Sequence, residues 1–156
     1  FIRKRPHHLI EAFKSTLEEA KYADIILHVV DASNPQMDVH MHVVYETLRE
    51  LGVKDKKIIT LFNKQDARTE NGILRDFKAD RTLPISARTG QGLDELKELL
   101  GELLRENKVY VERILSYANA GLVNLIRGKG ELLSEAYEED GIHVKAYVPM
   151  EIYHLL

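Results

Sequence analysis

The sequence predicts an α/β protein: a parallel sheet with crossover helices, followed by a small β-α-β-β lobe. Three observations predict it. Apolar runs without alternation occur at residues 25–30 and 58–62, the pattern of strands covered on both faces. Segments with helical periodicity lie between such runs, and strand–helix–strand alternation implies parallel strands joined by crossovers. After about Asn107 the apolar residues alternate instead, and Asp140-Gly141 sits between two apolar runs as a hairpin signal.

The elements follow in order. Ile10, Phe13, Leu17 and Ala20 recur at helical spacing, which predicts an amphipathic helix over about 6–20 with Pro6 near its first turn. The run Ile25-Ile26-Leu27-His28-Val29-Val30 reads as a buried strand ending in Asp31. Asn34-Pro35 marks a helix start, and Met37, Met41, Val44, Leu48 and Leu51 form one face of a helix that stops at Gly52. The second strand is 58–62. The polar stretch 67–81 has no clear period. Leu83-Pro84-Ile85 predicts a third strand, which leads into the loop Arg88-Thr89-Gly90-Gln91-Gly92. Leu93, Leu96, Leu100 and Leu103 mark the next helix, with Asp94 and Glu95 in its first turn, where the helix dipole favours them. Val109, Val111 and Ile114 then predict a strand. A short helix over 120–126 is ended by Gly128 and Gly130, and two strands follow at 132–137 and 142–148.

Composition excludes several classes. At 156 residues the chain suits one domain, or one with a small lobe. A net charge of −3 gives no global basic field for nucleic acid. The absence of cysteine removes disulfides and thiolate metal sites and fits a reducing cytosol. The longest apolar stretch, 25–30, is far too short to span a bilayer, and no signal peptide is visible. The chain opens on Phe1 rather than Met, so its natural start is expected to lie upstream. His40 and His42, two apart on a helix, point to different faces and are not assigned as metal ligands. His28 reads as a satisfied core or sheet-edge histidine. Tyr137, Tyr147 and Tyr153 read as packing rather than as RNA-stacking residues, and Arg3-Lys4-Arg5 with His7-His8 is a patch facing RNA phosphates, a contact to an adjoining domain of a longer parent, or a solvated helix start.

The most informative residues are Asn63-Lys64-Gln65-Asp66, directly after the second strand. An Asn-Lys-x-Asp at the carboxyl end of a buried strand is the guanine-reading signature of P-loop GTPases. Guanine presents N1–H and an exocyclic amino group side by side, both donors. A carboxylate at Asp66 offers two acceptors at matching spacing, and its charge strengthens both bonds. Adenine would leave that carboxylate unpaired. About twenty residues on, Ser86-Ala87-Arg88 follows the third strand and supplies the second loop that encloses a base. The plainer reading of 63–66 alone is a polar turn with an Asx cap. The phosphate half of such a site is absent from the sequence. No Gly-x-x-x-x-Gly-Lys-[Ser/Thr] and no Asp-x-x-Gly occur, so the chain reads as the C-terminal half of a GTPase cut from a longer parent.

The opening segment Phe1-Ile2-Arg3-Lys4-Arg5-Pro6-His7-His8-Leu9-Ile10-Glu11-Ala12-Phe13, the strand end Val29-Val30-Asp31-Ala32-Ser33, the two base loops, and the tail segments Gly130-Glu131-Leu132-Leu133 and Glu138-Glu139-Asp140-Gly141-Ile142 resemble the HflX family of ribosome-associated GTPases over essentially the whole chain. The resemblance implies a partial P-loop GTPase-type fold, with the C-terminal half of the G domain over 1–107 and an HflX-type C-terminal domain over 108–156. It implies a parent that binds GTP or GDP with Mg²⁺, hydrolyses GTP, binds the large ribosomal subunit (ribosomal RNA and protein) and is cytoplasmic. By position, Asp66 would pair with guanine N1–H and the amino group, and Lys64 would lay its stem across the base plane. Asn63 would hold the loop and approach the ring edge. Ala87 would offer its N–H to O6 and Ser86 would support Asp66. Gln65 completes the first loop. Arg88 stands where many GTPases have Lys, which weakens a stacking role there. Phe1 to about Pro6 would belong to the γ-phosphate-sensing switch. No catalytic residue and no Mg²⁺ ligand is assigned within this chain, which alone is expected to be inactive. Two rivals stand beside this reading: a module that binds ribosome or protein without nucleotide, and a different ribosome-assembly GTPase sharing only the base loops.

Overall fold

The computed structural model describes residues 14–156. The helix expected over 6–20 falls partly outside them, as do the basic cluster at 3–5 and the switch-region assignment. Residues 14–17 are helical and continue into a 3-10 turn at Glu18–Tyr22. The chain divides into two compact units, Phe1–Leu96 and Lys97–Leu156.

The first unit is built on a parallel sheet of order β1-β2-β3, with β1 at Ile25–Asp31, β2 at Lys57–Asn63 and β3 at Arg81–Pro84. Helix α1, Met37–Glu50, makes the crossover from β1 to β2. The central strand is buried along Ile59, Thr60, Leu61 and Phe62 because sheet neighbours flank it on both edges. Val30, Met41 and Phe62 form a small core with Met37 and Leu74 packed against it.

Strand β1 departs from the expectation of burial on both faces. His28 and Val30 are buried, but Leu27 and Val29 are 42% and 58% exposed. The cause is position. β1 is an edge strand, and α1 packs on the face bearing His28, whose ring meets Tyr45 edge-on at 5.3 Å. Nor is His28 fully satisfied: its buried Nδ1 has no hydrogen-bond partner.

The stretch 67–80, without period in the sequence, is tied down by two carboxylates. Asp76 Oδ2 accepts from Tyr45 Oη at 2.5 Å and from Thr60 Oγ1 at 2.6 Å, and Oδ1 accepts from the Lys78 N–H at 3.0 Å. Burial alone would raise the Asp76 pKa; the donated bonds from Thr60 and Tyr45 outweigh it and hold the group below its ordinary value. Asp80 then closes the segment onto β2, accepting from the Ile58 N–H at 2.8 Å. These bonds anchor Asp76 to α1 and β2 and Asp80 to β2.

Helix α2 spans Leu93–Arg105. The second unit continues with an antiparallel sheet of order β4-β6-β5, formed by Lys108–Leu115, Glu131–Glu138 and Gly141–Pro149 as β4, β5 and β6. The Asp-Gly signal is the β5–β6 turn. Gly141 has φ +139°, and a Cβ there would stand 2.5 Å from the Leu115 carbonyl oxygen. Helix α3, Gly121–Lys129, runs through Gly128 and ends at Gly130, the second of the two expected stop residues, three residues beyond the expected end at 126. A short helix α4 at Met150–Tyr153, which the sequence pattern did not show, closes the chain; its Ile152 joins the core of Val111, Val123, Ile126, Val144, Ala146 and Val148. Among the described residues no helix is long and apolar enough to cross a membrane.

Candidate functional site

Parallel strands place all their carboxyl ends on one edge; β1 and β2 deliver Asp31 and Asn63 there opposite each other, and Ser86 follows two residues past the end of β3. In open sheets of this kind ligands bind beyond those ends. The first loop begins as β2 finishes. Lys64 takes a left-handed conformation, φ +65° and ψ +37°, which turns the chain sharply into the 3-10 turn Gln65–Ala67. The second loop begins where Ile85 N–H donates to Phe62 O at 2.9 Å, continuing the β2–β3 pairing for one residue past the strand.

The two loops are joined by three hydrogen bonds, and a fourth braces the first loop against β2. Ser86 Oγ donates to Asp66 Oδ1 at 2.7 Å, and Ala87 N–H donates to Asn63 Oδ1 at 3.0 Å. Gln65 N–H donates to Ile85 O at 3.2 Å, while its side-chain Nε2 turns back to Phe62 O at 3.0 Å. Ser86 is fully buried, and its hydroxyl also accepts from the Thr89 N–H at 3.2 Å. A buried hydroxyl with both a donor and an acceptor role met is held in one orientation. It therefore fixes the Asp66 carboxylate, which remains exposed to solvent with acceptor capacity to spare.

Gly92 shapes the second loop. Its φ is +78°, and a Cβ would lie 2.6 Å from the Pro84 carbonyl oxygen, so only glycine lets the loop fold back on the end of β3.

The sequence-predicted residues thus come together, with distinct roles. Asp66 and Ser86 form one pair and Asn63 and Ala87 another. The Ala87 N–H, which the family resemblance assigns to guanine O6, is here bonded to Asn63. Gln65 clamps the loops from within. Arg88 is exposed at the rim. Lys64 reaches sideways, its Nζ 2.9 Å from Asp31 Oδ2. That contact lowers the Asp31 pKa, helped by Ser33, and raises that of Lys64. Asp31 is the site residue that motif reading missed. Its signal was available: a carboxylate ending the strand next to the one that carries the lysine. Among the described residues no group of three or more His, Asp or Glu is placed to hold a metal ion.

The fold is that of the GTP-binding α/β class. A GTP-binding protein from the hyperthermophilic archaeon Sulfolobus solfataricus, solved in complex with GDP, matches 66% of this chain and 37% of its own with a TM-score of 0.57 and 31% identity. No family model matches the sequence. Curated relatives do: GTPase HflX of Lacrimispora saccharolytica is 67% identical over 98% of this chain, that of Caldanaerobacter subterraneus subsp. tengcongensis 42% over 97%, and that of Chlamydia pneumoniae 39% over 97%. The chain belongs to the HflX family of GTPases. It spans about a third of the length of these relatives: 36%, 35% and 33%.

Proposed function

We propose that this chain supplies the guanine-reading edge of an HflX-type GTPase. Residues 1–107 would act as the C-terminal half of the nucleotide-binding domain and 108–156 as the C-terminal domain. Asp66 would accept from guanine N1–H and the exocyclic amino group, with Ser86 holding its carboxylate. Asn63, its Oδ1 engaged by Ala87 N–H, would present its amide N–H₂ to the ring edge. Lys64 would cover one face of the base, with Gln65 and Arg88 shaping the loops around it. In the whole protein, Mg²⁺-dependent GTP hydrolysis and binding to the large ribosomal subunit in the cytoplasm follow as proposals from family membership. The phosphate cradle and metal ligands would come from elsewhere in that protein. The observation that carries this reading is the 2.7 Å Ser86–Asp66 bond, which joins the loops at 63–66 and 86–88 beside the strand ends.

The test is calorimetric titration of this chain with GDP and with ADP, beside Asp66→Ala. The expected outcome is binding of GDP in preference to ADP, lost in Asp66→Ala. Equal binding of the two nucleotides, or a preference untouched by the substitution, would overturn the assignment.

A further inference from the structure

Lys64 is the non-glycine residue of the two loops whose backbone is left-handed. Such a conformation is strained for a residue with a Cβ and persists where its surroundings fix it. Part of the fixing is backbone: Ala32 N–H donates to Asn63 O at 3.0 Å, and Ala67 N–H donates to Lys64 O at 3.0 Å. Among the described residues the side chain is held by Asp31, through the 2.9 Å contact between Nζ and Oδ2. Asp31 stands opposite Asn63 in the β1–β2 register. Its other oxygen, Oδ1, accepts from the Ser33 N–H at 3.0 Å and from Ser33 Oγ at 2.6 Å. The carboxylate is thus itself immobilised before it meets the lysine.

Stability does not explain this pair. Its side chains are 54% and 34% exposed, and ion pairs so open to solvent contribute little to folding. Orientation does. A lysine stem carries large rotamer entropy, and ordering a side chain at the moment of binding costs affinity. A stem tethered at its far end has lost that freedom already.

Resting on the guanine-binding reading above, we infer that Asp31 is a positioning residue for nucleotide binding. It touches no atom of the base. It holds the Lys64 stem across the strand ends, ready to meet a purine face. The Asp31 charge also neutralises the ammonium, so Lys64 acts through its methylene groups rather than as a phosphate ligand.

The experiment is a GDP titration followed by NMR on this chain, comparing wild type, Asp31→Asn, Lys64→Met, the double variant and Asp31→Glu. Asn preserves an acceptor for Ser33, so the local turn stays closed. We expect Asp31→Asn to weaken GDP binding by about three- to tenfold, the scale of one side chain left unordered. Adding Asp31→Asn to Lys64→Met should cost nothing further, since a residue acting through another shows full coupling. Asp31→Glu, which keeps the carboxylate, should recover most of the loss. In the free protein the Lys64 side-chain methylene signals should be ordered in wild type and mobile in Asp31→Asn. An Asp31→Asn loss of the same size in the Lys64→Met background would overturn the inference, as would wild-type affinity in Asp31→Asn or a mobile Lys64 stem in free wild type. A wild-type chain that fails to prefer GDP to ADP would sink the guanine reading instead, and Lys64 order, read without nucleotide, tells the two failures apart.

Discussion

Asp66→Asn reverses a single acceptor at the base edge, and the structure sets which way the new amide points. Ser86 Oγ donates to Asp66 Oδ1 at 2.7 Å, and Ser86 is buried with its other role taken by Thr89 N–H. That hydroxyl still needs an acceptor after the substitution. The Asn carbonyl oxygen must therefore stay on Ser86, which turns the NH₂ toward the base. Guanine presents two donors there, so donor meets donor. A hydrogen bond to a charged acceptor is worth about 1.5–3 kcal/mol, and here one is lost while the other keeps only a neutral acceptor. The carboxylate is exposed, so the lower end applies, and the loss for GDP is about 2 kcal/mol, or on the order of 30-fold. Xanthine carries a carbonyl at C2 and accepts from the new amide, a gain of about 1 kcal/mol. Phosphate contacts common to GDP and XDP cancel in the ratio of their dissociation constants, so competition between the two nucleotides is the appropriate assay. The variant should prefer XDP where wild type prefers GDP. A variant that still prefers GDP by its original margin would refute the reasoning, including the orienting role given to Ser86.

The scaffold makes its own predictions. Asp76→Ala removes the acceptor shared by Tyr45 and the fully buried Thr60 hydroxyl, and should cost about 1–3 kcal/mol in urea denaturation, the penalty of an orphaned buried donor; Tyr45→Phe, which leaves Thr60 paired, should cost less. His28 gives a pH dependence of defined sign. Burial lowers its pKa from 6.5, opposed by the charge of Asp76, so the folded protein takes up this proton less readily than the unfolded chain. Its contribution is complete above 6.5 and is lost as pH falls through that value toward the lower folded one. His28→Phe, which keeps an aromatic ring against Tyr45, should flatten that part of the profile when denaturation is compared between about pH 7.5 and about pH 5.5. An unchanged slope would show that His28 is not the group responsible.

Much of the fold was legible in the sequence because its signals are local. The apolar runs at β1 and β2, the leucine spacing of α2 and the Asp140-Gly141 turn each follow from a few neighbouring residues. What stayed hidden depends on distant partners. Nothing in the polar stretch 67–80 announces that Asp76 will find Tyr45 and Thr60, because those donors arrive from a helix and a strand earlier in the chain. The openness of β1 at Leu27 and Val29 was invisible for the same reason: an apolar run reports what a face prefers, not whether a neighbour covers it. At the site, the spacing of Asn63, Asp66 and Ser86 showed two loops that belong together. It did not show that Ala87 N–H binds Asn63, that Gln65 faces inward or that Asp31 tethers Lys64. Those contacts arise from the β1–β2–β3 register, which aligns the three strand ends.

The central claim is that the edge formed by these two loops recognises guanine. Backbone amide shifts of the isotopically labelled chain during titration with GDP test it most directly. The account predicts shifts concentrated at residues 63–66 and 86–88 with GDP, and none there with ADP at the same concentration. Shifts confined to other residues, or the same response to both nucleotides, would contradict it.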